Sequence, residues 1–246
     1  MDSKIQPANH AAGLARALSK LGFCSRSQAV EAIGAGRVKV NGTVRRDPQW
    51  RVRLDRDRIE VDGEPVRGSA RVYVMLNKPR GLVTTASDEK GRATVFECLE
   101  RLPFVAPVGR LDRASEGLLL FTNDTAWAAK ITDPANHVEK TYHVQIDRLA
   151  DEALLGRMRE GVEAEGELLR VKRVEVIRRG DKQCWLEIVL DEGRNRHIRR
   201  LLEALGAGVE RLVRVKIGEL ALGNLAKGES RQLSAEDRRA VGVESG

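Results

Sequence analysis

The sequence predicts an α+β protein in two parts: a small basic helix-helix-strand domain over residues 12–66, and a larger domain over residues 72–240. In the larger part a mixed, mainly antiparallel sheet is flanked by helices. Three observations predict this. At 246 residues the chain can hold a small domain and a medium one. Residues 1–71 contain 14 Lys and Arg against 8 Asp and Glu, a net of +6 out of +7 for the whole chain. Beyond residue 72 the apolar residues fall into separated alternating runs with few helical stretches between them.

Leu14, Ala17, Leu18 and Leu21 recur at helical spacing and predict a helix over residues 12–21. Ser25 and Gln28 form a capping box for a second helix carrying Ala29, Val30, Ala32 and Ile33, which Gly34 and Gly36 stop. Val38 and Val40 alternate with Lys39, and Asn41-Gly42 predicts a hairpin into Thr43–Arg46. Ile59–Val61 followed by Asp62-Gly63 repeats that pattern. Residues 67–71, Arg-Gly-Ser-Ala-Arg, read as a linker. Then comes an alternating strand over Val72–Lys78, ended by Pro79. A buried strand over Leu118–Phe121, a strand over Lys140–Ile146 and a helix over Asp151–Arg159 follow. Strands over Leu169–Ile177 and Cys184–Leu190 come next, the latter with Leu186, Ile188 and Leu190 on one face and Trp185, Glu187 and Val189 on the other.

The composition excludes several classes. Cys24, Cys98 and Cys184 are odd in number and far apart, so neither a disulfide framework nor a zinc site is expected. His10, His137, His143 and His197 are scattered, against a zinc-activated water. No dinucleotide fingerprint or phosphate loop is present, and no cofactor or metal is expected. Residues 1–11 lack an apolar core of signal-peptide length, and nothing approaches the roughly 20 apolar residues of a membrane span. A cytoplasmic, monomeric protein without membrane association is expected. A basic module ahead of a nearly neutral one suggests a nucleic-acid anchor, with Arg16, Lys20, Arg26, Arg37 and Lys39 as its contacts.

Two segments read as sites. Val108–Asp124 sets a charged turn between apolar runs, and Asp112 projects from it beside Arg110 and Arg113. By pattern alone Asp112 is a turn aspartate bonded to its own backbone. Asp191–Gly206 reads as strand end, tight turn and helix, with Ile198, Leu201, Leu202 and Leu205 on one face. Arg199 lies about 100° from Ile198, at the rim of that face, while Arg196 and Arg200 point away. A half-buried Arg199 needs a partner, whereas Arg196 and Arg200 suit RNA phosphates. Tyr142, in an alternating strand, is by default a core tyrosine.

The strings Gly109-Arg110-Leu111-Asp112, Ser115, Gly117-Leu118-Leu119 and Asn123-Asp124 resemble the signature of the pseudouridine synthases, in the ribosomal RNA branch of the RsuA and RluB type. Asn77-Lys78-Pro79 with Gly81 resembles the family's first motif and residues 191–206 its third, with His197 where relatives often carry Gln. Ser25–Gly42 resembles the core of the RNA-binding domain named after ribosomal protein S4. The resemblance implies a pseudouridine synthase fold and isomerisation of uridine to pseudouridine in ribosomal RNA, large-subunit rather than small-subunit, free or in a pre-ribosomal particle. It implies that Asp112 is the essential catalytic residue, that Arg199 pairs with it, and that Tyr142 in its Lys-x-Tyr context lies against the target base. Arg110, Arg196 and Arg200 join the RNA contacts. Whether Asp112 attacks sugar or base, or removes the C2′ proton, stays open. Two other classes are a non-catalytic RNA-binding or ribosome-assembly factor, and a glycoside hydrolase using Asp112 with Glu116. Nine aromatic residues in the chain argue against a sugar-binding cleft.

Overall fold

The computed structural model describes residues 11–85, 88, 90–99 and 102–243. Residues 1–10, most of the stretch read above for a leader, lie outside the described residues. The chain divides into two units, residues 1–72 with 102–106, and residues 73–101 with 107–246.

In the first unit, β1 (Ala11–Gly13) precedes α1 (Leu14–Lys20) and α2 (Arg26–Gly34), followed by β2 (Val38–Val40), β3 (Thr43–Val44), β4 (Arg51–Arg53), β5 (Ile59–Val61) and β6 (Glu64–Pro65). The capping box forms as expected: Ser25 Oγ accepts the Gln28 N–H at 3.1 Å, and Gln28 Oε1 accepts the Ser25 N–H at 3.0 Å. Asn41 and Gly42 both have positive φ, 51° and 80°, which lets β2 fold straight back on β3. Leu14, Leu18 and Ile33 bury against Val38, Val40, Val52, Ile59 and Val61. The first helix starts two residues later than its periodicity suggests, because Ala11–Gly13 pairs as a strand with β4. Instead of a side-chain cap, the carbonyls of Trp50 and Pro48 take the Leu14 and Ala15 N–H groups at 2.8 and 3.1 Å.

The second unit contains β7 (Tyr73–Lys78), all but the first residue of β8 (Ala106–Val108), β9 (Glu116–Thr122), α3 (Thr125–Thr132), β10 (Lys140–Ile146), α4 (Glu152–Glu160), β11 (Val162–Ala164) and β12 (Glu167–Leu169). It continues with β13 (Arg173–Arg179), β14 (Cys184–Leu190), α5 (His197–Ala204), β15 (Val209–Ile217), β16 (Leu220–Ala221), β17 (Ser230–Gln232) and α6 (Ala235–Ala240). Its main sheet runs β13-β14-β10-β15-β9-β7-β17. Along that path only β15 and β9 are parallel, so the sheet is two antiparallel halves joined at one seam. Val144, Ile146, Leu186 and Ile188 pack with Leu155, Leu201 and Leu202 of α4 and α5. Met75, Leu118 and Leu120 pack with Trp127 and Ile131 of α3.

Three expectations change. β7 starts at Tyr73 and is buried along its whole length, because β9 and β17 flank it. The strand expected over Leu169–Ile177 is two pieces: β12 pairs with β11, and β13 begins at Arg173 to pair with β14. The central strand β15 and the edge strand β17 were not expected.

The seam is tight. Val213 pairs with Glu116 and Arg214 with Gly117, and Gly117 has φ +99° with the Arg214 backbone so near that a Cβ would fall on its carbonyl oxygen. Beside it the Glu116 side chain, 5% exposed, accepts two bonds from Arg211 at 2.9 and 3.1 Å and pairs with Lys227 at 2.6 Å. Burial works against its charge, yet Arg211 and Lys227 hold the carboxyl below the usual range. Gly117→Ala combines a forbidden backbone angle with overpacking, and a loss of about 2–4 kcal/mol is expected on urea unfolding. A loss below about 0.5 kcal/mol contradicts the tightness of the seam.

Candidate active site

The loop from Gly109 to Ser115 leads into β9, and its backbone is held from beneath. Lys78, at the end of β7, is fully buried, and its Nζ donates to the carbonyls of Pro79, Asp112 and Ser115 at 3.1, 3.2 and 2.8 Å. An ammonium has three N–H groups, so three carbonyls satisfy it. Burial pushes its pKa down to about 8, against the pull of Asp112 and Glu116. Thr84 Oγ1 donates to the Leu111 carbonyl at 2.7 Å, and the Ser115 N–H closes a turn on the Asp112 carbonyl at 2.9 Å. The Asp112 carboxylate itself is left one-third exposed (33%).

That carboxylate faces a cavity of about 370 Å³ lined by Arg110, Asp112, Tyr142, Leu190, Arg196 and Arg199, among others. Asp112 and Arg110 come from one half of the sheet; Tyr142 (β10), Leu190 (β14), Arg196 at the N-cap of α5 and Arg199 within it come from the other. Tyr142 is half-buried, packed against the core beneath α5 while also lining the cavity.

The arginines differ from the helical-wheel expectation. Arg196, not Arg199, stands nearest Asp112, at 3.8 Å. Its φ of 49° places it at the left-handed N-cap of α5, outside the helix, where a 100° step per residue does not apply. Arg199 is half-buried as expected, but its guanidinium donates to the Ala114 and Val209 carbonyls at 3.2 and 3.3 Å. Burial and the Arg196 charge pull its pKa down, while Asp112 opposes them. Arg199 thus braces the backbone of the Asp112 loop and senses its charge through space.

The expectation of a solvent-facing Arg200 does not hold. Its side chain is 11% exposed and engages Glu165 at 2.8 Å, Glu167 at 2.6 Å and the Ala164 carbonyl at 2.8 Å, tying the β11–β12 hairpin to α5. Arg37 forms a two-pronged pair with Asp62, and Lys39 is half-buried. Arg16, Lys20 and Arg26 are exposed and make no ion pair among the described residues, and Arg110 is exposed on the cavity wall. His197 is buried, with Nε2 2.9 Å from the Arg170 carbonyl, and burial lowers its pKa. It pegs the start of α5. Glu116, the second carboxylate of the glycosidase reading, is held in the seam and is not among the residues lining this cavity. Sequence reasoning did not find the roles of Lys78, Arg211, Arg214 or Lys227; only the Asn-Lys-Pro string marked Lys78.

Residues 72–204 match the RNA pseudouridylate synthase family, and residues 13–59 match the S4 domain. An RNA pseudouridine synthase of *Aquifex aeolicus* (strain VF5), itself uncharacterised, is 38% identical over 92% of this chain and 93% of its own length. The ribosomal large subunit pseudouridine synthase B of *Bacillus subtilis* (strain 168) is 34% identical over 91% of this chain and 93% of its own. A crystal structure of a pseudouridylate synthase superposes with a TM-score of 0.66 at 30% identity, covering 94% of this chain and 99% of that one. The fold is therefore that of an RNA-modifying isomerase preceded by an S4 domain. The chain belongs to the RNA pseudouridylate synthase family.

The Lys78 ammonium gives a pH test. Its folded value of about 8 lies below the ordinary 10.5, so below pH 8 both states are protonated and folding bears the full cost of burying the charge. Between these values only the unfolded chain holds the proton, so stability should rise with pH, by up to about 3 kcal/mol relative to Lys78→Met. Urea unfolding of both proteins from neutral to alkaline pH checks this, and a constant difference between them contradicts a buried ammonium.

Proposed function

We propose that the chain converts uridine to pseudouridine in ribosomal RNA, that of the large subunit, with Asp112 as the catalytic residue. The carrying observation is the Asp112 carboxylate, exposed to the 370 Å³ cavity while its backbone is fixed by Lys78. The named *B. subtilis* relative supports the large-subunit target. We read residues 12–66 as the RNA anchor and 72–240 as the catalytic domain. We read Arg16, Lys20, Arg26 and Arg110 as phosphate contacts and the protein as a cytoplasmic monomer acting on ribosomal RNA or a pre-ribosomal particle. No described helix is long and apolar enough to cross a membrane.

In this reading the target uridine leaves its stack and enters the cavity against Tyr142, the unstacking being offset by backbone contacts and stacking. The bond from N1 to C1′ breaks, the uracil turns, and C5 bonds to the same C1′; C5 then gives up its proton and N1 takes one up, so atoms balance with no co-reactant. Arg196 stands 3.8 Å from the Asp112 carboxylate, the group that serves as nucleophile or base in this reading. Arg199 keeps the loop in place by holding its backbone.

Asp112→Asn should fold and bind RNA as the parent does but lose turnover by about 100-fold or more, read as pseudouridine formed in a ribosomal RNA fragment. Near-parental turnover by the folded variant refutes the assignment. Arg199→Ala and Arg200→Ala should separate. The first releases the Ala114 and Val209 carbonyls and should slow single turnover on saturated enzyme by roughly 10-fold or more. The second should leave that rate within a few-fold while lowering stability, since it removes the bonds from α5 to the Ala164 carbonyl, Glu165 and Glu167 that hold the β11–β12 hairpin. The opposite pattern of rates overturns the bracing role of Arg199.

A further inference from the structure

Trp50 is 40% exposed and takes no part in the first unit's core cluster. It stands in a strongly basic stretch: residues 45–53 hold four Arg against one Asp. The ring is presented from a rigid turn. The Trp50 N–H donates to the Asp47 carbonyl at 3.1 Å and the Gln49 N–H to Asp47 Oδ1 at 2.8 Å. The Pro48 and Trp50 carbonyls are in turn fixed by the first two amides of α1. The Arg45 guanidinium carbon lies 3.8 Å from the centroid of the ring. Arg51, next in sequence, is exposed and makes no ion pair among the described residues.

A large aromatic surface held rigid in water, with a cation on its ring and net positive charge around it, fits a flat π-surface that carries negative charge close by. An unpaired nucleotide has both, in its base and its phosphate. A basic protein surface is repelled by the same arginines. We propose that Trp50, with Arg45, is a stacking platform for an unpaired nucleotide of the RNA to which this chain binds, a site separate from the Asp112 cavity. This rests on the RNA-binding reading of the first unit given above.

The test uses the full chain, a short fluorescein-labelled oligouridylate and a duplex RNA of equal length, titrated by anisotropy over a range of salt. Trp50→Ala should weaken oligouridylate binding about tenfold while leaving the slope of log affinity against log salt unchanged, because stacking releases no counterions. Trp50→Phe should keep most of the affinity, and duplex binding should change little. Arg16→Ala with Lys20→Ala, as a control, should flatten the salt slope for both RNAs. Equal oligouridylate affinity of Trp50→Ala and parent overturns the platform, as does an equal loss on both RNAs or in Trp50→Phe. Unchanged oligouridylate binding with weakened binding of polyglutamate assigns the ring to an acidic protein segment instead. Pseudouridine formation by the parent is followed alongside. Turnover with an unaffected Trp50→Ala overturns the platform alone, whereas a parent that neither binds nor turns over RNA overturns the functional reading with it.

Discussion

The parallel contact between β9 and β15 is the constraint on which the site depends. The sheet's two antiparallel halves meet only there along the main path, and both line the cavity: the Asp112 loop enters β9, whereas Tyr142, Leu190 and the start of α5 belong to the other half. Gly117 has Lys78 opposite it on β7 and Arg214 opposite it on β15, so its missing side chain sets the spacing on both sides of the loop's exit. Polar bonds then fix what close approach allows. Arg211 and Lys227 converge on Glu116, and Arg214 Nε donates to the Leu118 carbonyl at 2.7 Å. Glu116 is buried while Arg211 and Lys227 reach solvent, and sliding the strands would leave that buried carboxylate without its cations, so the cluster resists it. Register is what a site divided between two strands requires.

Around Asp112 the cations divide into those that hold the backbone and those that reach the carboxylate. Lys78 and Arg199 direct their hydrogen bonds to carbonyls at residues 79, 112, 114, 115 and 209. Among the described residues only Arg196 comes within ion-pair distance of the carboxylate, at 3.8 Å and from an exposed position. On the proposed reading of Asp112 as the catalytic residue, a loop fixed through its backbone needs no bond to the carboxylate, which stays available to a substrate without a strong internal partner to displace.

Local chemistry made much of this legible in the sequence. Asn41-Gly42 and Asp62-Gly63 adopt the positive φ that their residue types permit, Ser25 and Gln28 cap α2 reciprocally, and the limits of β10 and β14 coincide with their alternation. What was not legible depended on partners distant in the chain. Val209–Ile217 alternates, but Arg211 and Arg214 interrupt it, and those arginines make sense only once Glu116 and the Leu118 carbonyl lie beside them. Arg200 reads as solvent-facing on a helical wheel because the wheel omits the β11–β12 hairpin, whose carboxylates cover it. Arg196 was misplaced because one left-handed residue ends the helical period before it reaches the site.

Formal charge also overstates what the second unit offers a polyanion. Residues 72–246 carry 29 Lys and Arg against 28 Asp and Glu, and several of the cations nearest the cavity are already committed. Lys78 and Arg199 serve carbonyls, and Arg200 and Arg211 serve carboxylates. Arg110 and Arg113 remain exposed on the loop without an ion pair among the described residues. In the first unit Arg16, Lys20, Arg26 and Arg51 are similarly unpaired, while Arg37 is matched by Asp62. On the proposed reading, long-range attraction for RNA falls mainly to the first unit and short-range orientation to a few loop arginines. Affinity and chemistry then rest on different residues in that reading, so RNA binding can strengthen or weaken without disturbing the backbone bonds that hold Asp112 in place.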